Sequence, residues 1–509
     1  MVSKIFSATT VGIEARQIEI EVDVAKGLPA IVIVGLPDTA IKESRDRVRS
    51  AIKNSGLDYP SQKITVNMAP CDIKKEGSCF DLPIAIGILA ATDQLNLDYL
   101  NDFVFIGELA LNGRIRPVNG CLPIAMSLKN PHKKLILPKE NSCEVSVVED
   151  VPMYPVETLN QVCDLLSGAS TISSISVNKK DYINQSQNYE FDFSEVKGQA
   201  YAKRAIEIAA AGGHNIIMMG PPGSGKTMLA KRLPTILPDM TIEESIETTK
   251  IYSVSGLMPV KTPIIGVRPF RSPHHTASDA SLVGGGSVPR PGEVSLSHNG
   301  VLFMDELPEF HRNVLESLRQ PLEDGYVTIS RINSSVRFPS KFMLVCAMNP
   351  CPCGFFTDPK KECHCTPLRI QKYLSKVSGP LLDRIDIHIE VPPVRYKELS
   401  SESMGEGSEI IRKRVKAARN IQLARFKEDR IFSNSQMTYR LIRKHCRLDE
   451  VSRDLLKTAI TELGFSARCY DKILKVSRTI ADLEVKTNIE PAHVSEAIQY
   501  RSLDRNLWM

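Results

Sequence analysis

Residues 215–230 read Asn215-Ile-Ile-Met-Met-Gly220-Pro-Pro-Gly-Ser-Gly-Lys226-Thr227-Met-Leu-Ala230: an apolar run, a glycine-rich turn, then residues that favour helix. Phosphate binding needs this order. Gly220, Gly223 and Gly225 let backbone N–H groups approach phosphate oxygens with no side chain in the way, and Pro221, Pro222 and Ser224 complete the turn. Lys226 can reach the β- and γ-phosphates, and the Thr227 hydroxyl can hold Mg²⁺. A chance glycine-rich turn would not carry a strand before it and a helix after it. The stretch therefore predicts a P-loop, with ATP and Mg²⁺ as cofactors.

Further parts of such a site follow downstream. Gly300-Val-Leu-Phe-Met-Asp305-Glu306 is an apolar strand ending in two carboxylates. Asp305 would join the metal shell, and Glu306 would polarise the attacking water as general base. Asn349 ends the run Phe342–Met348, where a neutral amide could orient that water; before Pro350 it also suits a plain turn. The runs Asn215–Met219, Val301–Met304 and Phe342–Met348 read as parallel strands covered on both faces. Helical patterns lie between them, so the core is α/β. From Ser408 the texture becomes helical. Ile411, Val415, Ala418 and Ile421 share one face, as do Ile473, Val476, Ile480 and Leu483, which predicts a helical lid.

At 509 residues the chain exceeds one core, and three folded units are expected. A small polar stretch, with Ser-Gly-Ala-Ser-Thr-Ile-Ser-Ser-Ile-Ser and then Asn-Lys-Lys-Asp, reads as a linker. The expected division is an α/β domain at 1–165, a linker at 166–189, the ATPase core at 190–395 and the lid at 396–509. Net charge is +5, slight for this length, so any basic surface must be local. The N-terminus carries no apolar signal core, and the most apolar stretch, Pro83–Ala91, is too short to span a bilayer. A cytoplasmic protein with no membrane partner is expected, and its twelve cysteines are then thiols or metal ligands. Cys351, Cys353, Cys363 and Cys365 form two Cys-x-Cys pairs, a set suited to structural Zn²⁺, with His364 able to replace one thiolate. Such a centre would brace the loop after Asn349. Cys121 and Cys346 stand in apolar surroundings and are expected in the core.

The order of these parts resembles AAA+ ATPases, in which the residue at Asn349 is sensor 1. Gly379-Pro-Leu-Leu-Asp-Arg384-Ile-Asp resembles the arginine-finger motif of the helix-2-insert clade. That likeness implies that Arg384 enters a neighbouring subunit's site. Ser466-Ala-Arg468 looks like a sensor 2 arginine touching nucleotide in cis. Longer stretches narrow the likeness: Arg271-Ser-Pro-His-His-Thr-Ala-Ser-Asp-Ala-Ser-Leu-Val-Gly-Gly-Gly, Asp305-Glu-Leu-Pro-Glu-Phe and Asn349-Pro-Cys-Pro-Cys-Gly. With Gly35-Leu-Pro-Asp and Phe80-Asp-Leu-Pro-Ile-Ala near the N-terminus, they are similar to the ComM (YifB-like) family of magnesium-chelatase-like AAA+ proteins. The resemblance covers nearly the whole chain outside the linker. It implies a homo-hexameric motor on single-stranded and branched DNA that drives branch migration in natural transformation, with a recombinase as a further partner.

Two basic segments suit that role. The insert at 267–297 carries Arg268, Arg271, His274, His275 and Arg290. The segment 325–341, with Arg331, Arg337 and Lys341, reads as a hairpin turning at Asn333-Ser334. Of these, Arg271, Arg290, Arg331 and Arg337 are the candidate phosphate contacts, against the plainer reading of solvated loops. Residues 1–165 resemble the Lon protease domain, with Cys79 at the position of its serine and Leu122 at that of its lysine. Leucine cannot accept a proton, Ser78 lies one residue off, and proteolysis is not expected. A magnesium-chelatase-like motor remodelling a protein or porphyrin partner is the alternative, although no Asp-x-Ser-x-Ser metal-adhesion segment follows the lid. A scaffold using ATP only to assemble is a further possibility.

Overall fold

The computed structural model describes residues 2–75, 77–128, 133–169, 174, 189–259, 262–286, 289–331, 334–356, 358, 361–394, 405–429 and 431–501. Most of the expected linker at 166–189 lies outside them, as do the boundary at 395/396 and Asn333 of the hairpin turn.

The first sheet has seven strands in the order β3-β4-β2-β1-β5-β8-β9. They are β1 (Val2–Val11), β2 (Glu14–Ala25), β3 (Ala30–Val34), β4 (Lys63–Ala69), β5 (Phe103–Phe105), β8 (Lys134–Pro138) and β9 (Met153–Val156); the ribbon β6 (Glu108–Leu109) and β7 (Ile115–Arg116) stands apart. β1 and β2 pair antiparallel with Ile5 opposite Ile20. Ile18, Ile20 and Val22 are buried while the polar residues between them face out, so the period of two sets the face. Helix α1 (Thr39–Asn54) starts on Asp38, whose carboxylate accepts the Ile41 N–H. The apolar stretch at Pro83–Ala91 becomes helix α2 (Asp81–Ala91), buried along its whole length against β1 and β2. Gly87 permits that approach, since a Cβ there would lie 2.6 Å from Val22 Cγ2.

The second sheet has five strands in the order β11-β14-β17-β10-β18, all parallel. They are β10 (Ile216–Met219), β11 (Phe270–Arg271), β14 (Val301–Met304), β17 (Met343–Met348) and β18 (Ile387–Glu390). Two of the expected strands begin one residue late, because Asn215 uses its side chain at the strand entrance: it accepts the Leu344 N–H and donates to Arg384 O. Met218, Phe303, Val345 and Ala347 pack on one face, and Ile217, Leu302, Met304 and Cys346 on the other. Burial on both faces explains why these strands read as unbroken apolar runs. Two small ribbons complete this region, β12 (Gly284–Gly285) with β13 (Arg290–Pro291), and the expected hairpin, β15 (Tyr326–Arg331) with β16 (Ser334–Pro339).

Helices α3 (Ser408–Arg425), α4 (Tyr439–His445), α5 (Glu450–Leu463), α6 (Ala467–Leu483) and α7 (Pro491–Gln499) form the C-terminal helical region. They share a core with the first face of the parallel sheet. On α3, Ile411, Val415 and Ala418 are buried as expected, but Ile421 is half-exposed and Gln422 is fully buried. The Gln422 amide donates to Ala211 O and accepts the Asn434 N–H, so a polar residue takes the inner position. Among the described residues no helix is long and apolar enough to cross a membrane.

The first sheet's unit is joined to the second at two places. Leu122 and Val147 pack with Ile264, and the Gly120 N–H donates to Ser253 O at 3.0 Å. The β1–β2 turn meets the β15–β16 hairpin, where Ile13 joins the hairpin's core and Gly12 lies against Val336.

Candidate functional site: a nucleotide site and two arginines at opposite edges of one sheet

The turn after β10 leaves the sheet's C-terminal edge with Gly223 and Gly225 at φ +77° and +90°, a region costly for side-chain-bearing residues. The helix Lys226–Ile236 opens directly from it. Lys226 Nζ donates to Gly220 O at 2.7 Å and Pro221 O at 3.0 Å, and lies 3.3 Å from Asn349 Oδ1. Burial lowers the Lys226 pKa to about 8, against the pull of Asp305 and Glu306. Thr227 Oγ1 donates to Asp305 Oδ2 at 2.7 Å, which brings together the two oxygens suited to Mg²⁺. Glu306 follows at φ +53°, with its side chain half-exposed. The strand ends thus gather Gly220, Pro221, Pro222, Gly223, Ser224, Gly225, Lys226, Thr227, Asp305, Glu306 and Asn349 at one edge. This donor set fits ATP and Mg²⁺: an ammonium among backbone amides, a hydroxyl beside a carboxylate, and a second carboxylate free to approach water.

Two contacts at this edge escape sequence reasoning. Gln199, at φ +53°, donates from Nε2 to Ser224 O at 2.5 Å and ties the P-loop to the chain before it. His275 Nδ1 lies 3.5 Å from Glu306 Oε2. No periodicity signals either one. The nearest sequence cue is Gly198-Gln199 ahead of a helix for the first and a histidine pair in a glycine-rich insert for the second.

Arg384 and Arg468 lie elsewhere. Both line a cleft of about 660 Å³ that also includes Asn215, Gly300 and Met343, the entrances of the parallel strands. Arg384 pairs with Glu323, and Arg468 lies 3.8 Å from Asp383. β10 alone spans about 13 Å between this edge and the P-loop. Arg468, expected to touch nucleotide in cis, thus lines the cleft at the strand entrances with Arg384.

The four thiols come together beside the P-loop. Their Sγ atoms lie within 4.8 Å of one another, with 3.3 Å between Cys351 and Cys353, 3.7 Å between Cys351 and Cys363, and 3.6 Å between Cys353 and Cys363. A tetrahedron of ~2.3 Å metal–sulfur bonds has edges of about 3.8 Å, so the cluster could coordinate a metal. His364 is not part of it. The Phe355 backbone, then Cys351, pull the Cys353 thiol down to about 6, toward the thiolate a metal needs. Gly354, at φ +84°, presses on the P-loop: a Cβ there would lie 2.5 Å from Pro222 Cδ.

The basic candidates divide. Arg271 forks onto Glu293 at 2.6 and 2.7 Å, and Arg268 is held by Glu244 and by backbone carbonyls, so both are engaged within the chain. Arg290 and Arg337 are exposed, the latter over the Tyr326 ring at 4.9 Å. The Arg331 side chain lies outside the description. In the first unit, burial pushes the Cys79 thiol up to about 12. Ser78 is bonded to Glu108. Leu122 is fully buried against Ile264 of the nucleotide-binding unit, and Cys121 and Cys346 are in the core as expected.

With this geometry in hand, comparison with known proteins is specific. The profile of the family described as magnesium chelatase, subunit ChlI, matches residues 192–399, that of subunit ChlI of Mg-chelatase matches 20–141, and that of the ChlI C-terminal region matches 405–501. The chain is 45% identical to the competence protein ComM of Haemophilus influenzae over 507 residues, 99% of this chain and 98% of that one. It is 42% identical to YifB of Escherichia coli over 506 residues, with 99% and 98% covered. The N-terminal likeness to an archaeal Lon protease of Thermococcus kodakarensis is weaker, 28% over 141 residues, 26% of this chain and 22% of that protein.

Proposed function

The chain belongs to the ComM/YifB family of magnesium-chelatase-like ATPases, and from that premise we propose that it is a ring-forming DNA motor that uses ATP to drive branch migration during the uptake of transforming DNA. The observation that carries the ring is the separation of Lys226 from Arg384 and Arg468 across the parallel sheet. Two arginines at the strand entrances serve no phosphate in their own chain. Stacked head to tail, each subunit offers them to its neighbour's P-loop, and a closed ring, in this reading a hexamer, leaves no site without them. ATP and Mg²⁺ bring the phosphates and the charge that organises them. Lys226 would exchange its carbonyl partners for phosphate oxygens, and Thr227 and Asp305 would hold the metal. Asn349 and Glu306 orient and deprotonate water, and the partner's arginine fork takes up charge on the transferring phosphoryl group.

In this reading the units are 1–165, a Lon-like domain without proteolysis, joined by 166–189 to the ATPase core at 190–395 and the lid at 396–509. The first unit serves as a platform, docked through Leu122 and the β1–β2 turn. Cys351, Cys353, Cys363 and Cys365 hold Zn²⁺ and brace the P-loop through Gly354. Exposed Arg290 and Arg337, with Arg331 on the same hairpin, meet DNA phosphates in the ring's channel. A recombinase supplies the joint molecule, and the setting is the cytoplasm. Support for DNA as the track rests on the ComM likeness, together with these exposed arginines.

A three-strand branch-migration assay tests this reading. Wild type moves the junction with ATP, while Lys226→Ala and Glu306→Gln do not. A wild-type ring that hydrolyses ATP indifferently to DNA and leaves the junction in place would falsify it.

A further inference from the structure

Helix α6 lies along the segment that carries Arg384 and holds it at successive points. Arg468 Nη1 is 3.8 Å from Asp383 Oδ2. One turn on, Lys472 Nζ donates to the Ile385 carbonyl at 3.0 Å and lies 3.3 Å from Asp386 Oδ1. Further along, Thr479 Oγ1 is 2.8 Å from His214 Nε2, and His214 Nδ1 is 3.3 Å from Asp386 Oδ2. Residues outside α6 grip the same segment: Asn215 donates to Arg384 O at 3.0 Å, and Arg501 to Ile385 O at 2.5 Å. Lys472 is the one ammonium in this set that reaches both residues after Arg384. Its side chain is 14% exposed and that of Asp386 11%, so the pair sits out of solvent. Burial opposes ionisation of Asp386, but Lys472 and His214 outweigh it and hold the carboxyl well below its usual range.

We propose that Lys472 is a positioning residue for Arg384: an ammonium on the lid helix that pins the backbone just after the arginine and so fixes where the chain presents it to a neighbour. Lys472 touches no phosphate itself, since it lines the cleft at the strand entrances, across the sheet from the P-loop. Placement is what an arginine of this kind needs, because a misplacement of about 1 Å costs on the order of a hundredfold in rate. The inference rests on the reading in which Arg384 completes a neighbouring site, and adds the residue that holds it there.

Lys472→Met keeps the stem and removes the charge, and Lys472→Arg keeps the charge. ATP turnover is measured for each full-length protein, alone and mixed with Lys226→Ala or with Arg384→Ala. Lys472→Met is expected to lose kcat about tenfold with KM within about threefold of wild type, because its own P-loop is intact, and Lys472→Arg recovers most of that loss. Mixed with Lys226→Ala, which still offers sound arginines, Lys472→Met gains turnover well above either variant alone. Mixed with Arg384→Ala it gains none, since neither partner presents a placed arginine. If Lys472→Met melts too low to assay, the double variant Lys472→Met/Asp386→Asn, which removes both charges of the pair, carries the same expectations. Wild-type kcat, rescue by Arg384→Ala, or rescue by neither partner would overturn the positioning role. The mixture of Lys226→Ala with Arg384→Ala separates the two readings. If that mixture recovers turnover and Lys472→Met with Lys226→Ala does not, only the role of Lys472 falls. If that mixture stays inactive, the shared site falls and the role of Lys472 falls with it.

Discussion

Lys226 donates to the carbonyl oxygens of Gly220 and Pro221, and burial there lowers its pKa to about 8. ATP brings negative charge that raises it again. Binding near pH 8 to 9 should therefore draw a proton from the buffer, and affinity should fall as pH rises through that window. Titration calorimetry in two buffers of different ionisation enthalpy reads this directly, and equal apparent enthalpies would rule it out. Glu144 works in the opposite direction. Burial pushes its carboxyl up to about 7 from the usual range, so the folded state keeps a proton that the unfolded chain releases. Its contribution to stability is present below about pH 4.5 and is lost as pH rises toward 7. Glu144→Gln keeps the neutral form, so it should melt higher than wild type at pH 8, with the gap closing at pH 5. The P-loop residues were legible in the sequence because phosphate chemistry demands contiguous backbone. The contacts of His275 and Gln199 were not, because each reaches a residue far along the chain.

At the scale of elements, the thiol loop and the Leu122 contact carry the clearest consequences. The loop presses Gly354 onto Pro222 and lies two residues beyond Asn349. In the proposed zinc reading Cys353→Ser should lower the metal measured per chain and lower ATP turnover at least tenfold. Unchanged turnover after metal loss would remove the brace. The resemblance to the Lon protease domain sets Leu122 at the place of its lysine, and here the position is buried against Ile264. Restoring the lysine would bury an amine between two units at a cost on the order of 3 kcal/mol. Leu122→Lys should accordingly lower the melting temperature and yield no casein cleavage. Strands β10, β14 and β17 were readable to within one residue, since burial on both faces leaves unbroken apolar runs, whereas β11 and β18 at the sheet's two edges were not read. Helix α3 was misread by one position at Gln422, where hydrogen bonds to Ala211 and Asn434 outweigh apolar periodicity.

For the whole molecule, the parallel sheet is what separates the nucleotide from the arginines. A linear sequence gives Arg384 and Arg468 as motifs but not the edge on which they stand, which only the folded sheet supplies. In the proposed ring each chain is half of two sites, one through its P-loop and one through its arginines. An interface of this kind repeats head to tail, and its closure is a ring. Mixing two inactive variants tests it most directly. Lys226→Ala keeps its arginines and Arg384→Ala keeps its P-loop, so random assembly restores a complete site at about a quarter of interfaces. ATP turnover in the mixture should rise well above that of either variant alone. A mixture as inactive as its components, or an Arg384→Ala protein hydrolysing ATP at the wild-type rate, would contradict a site shared between subunits.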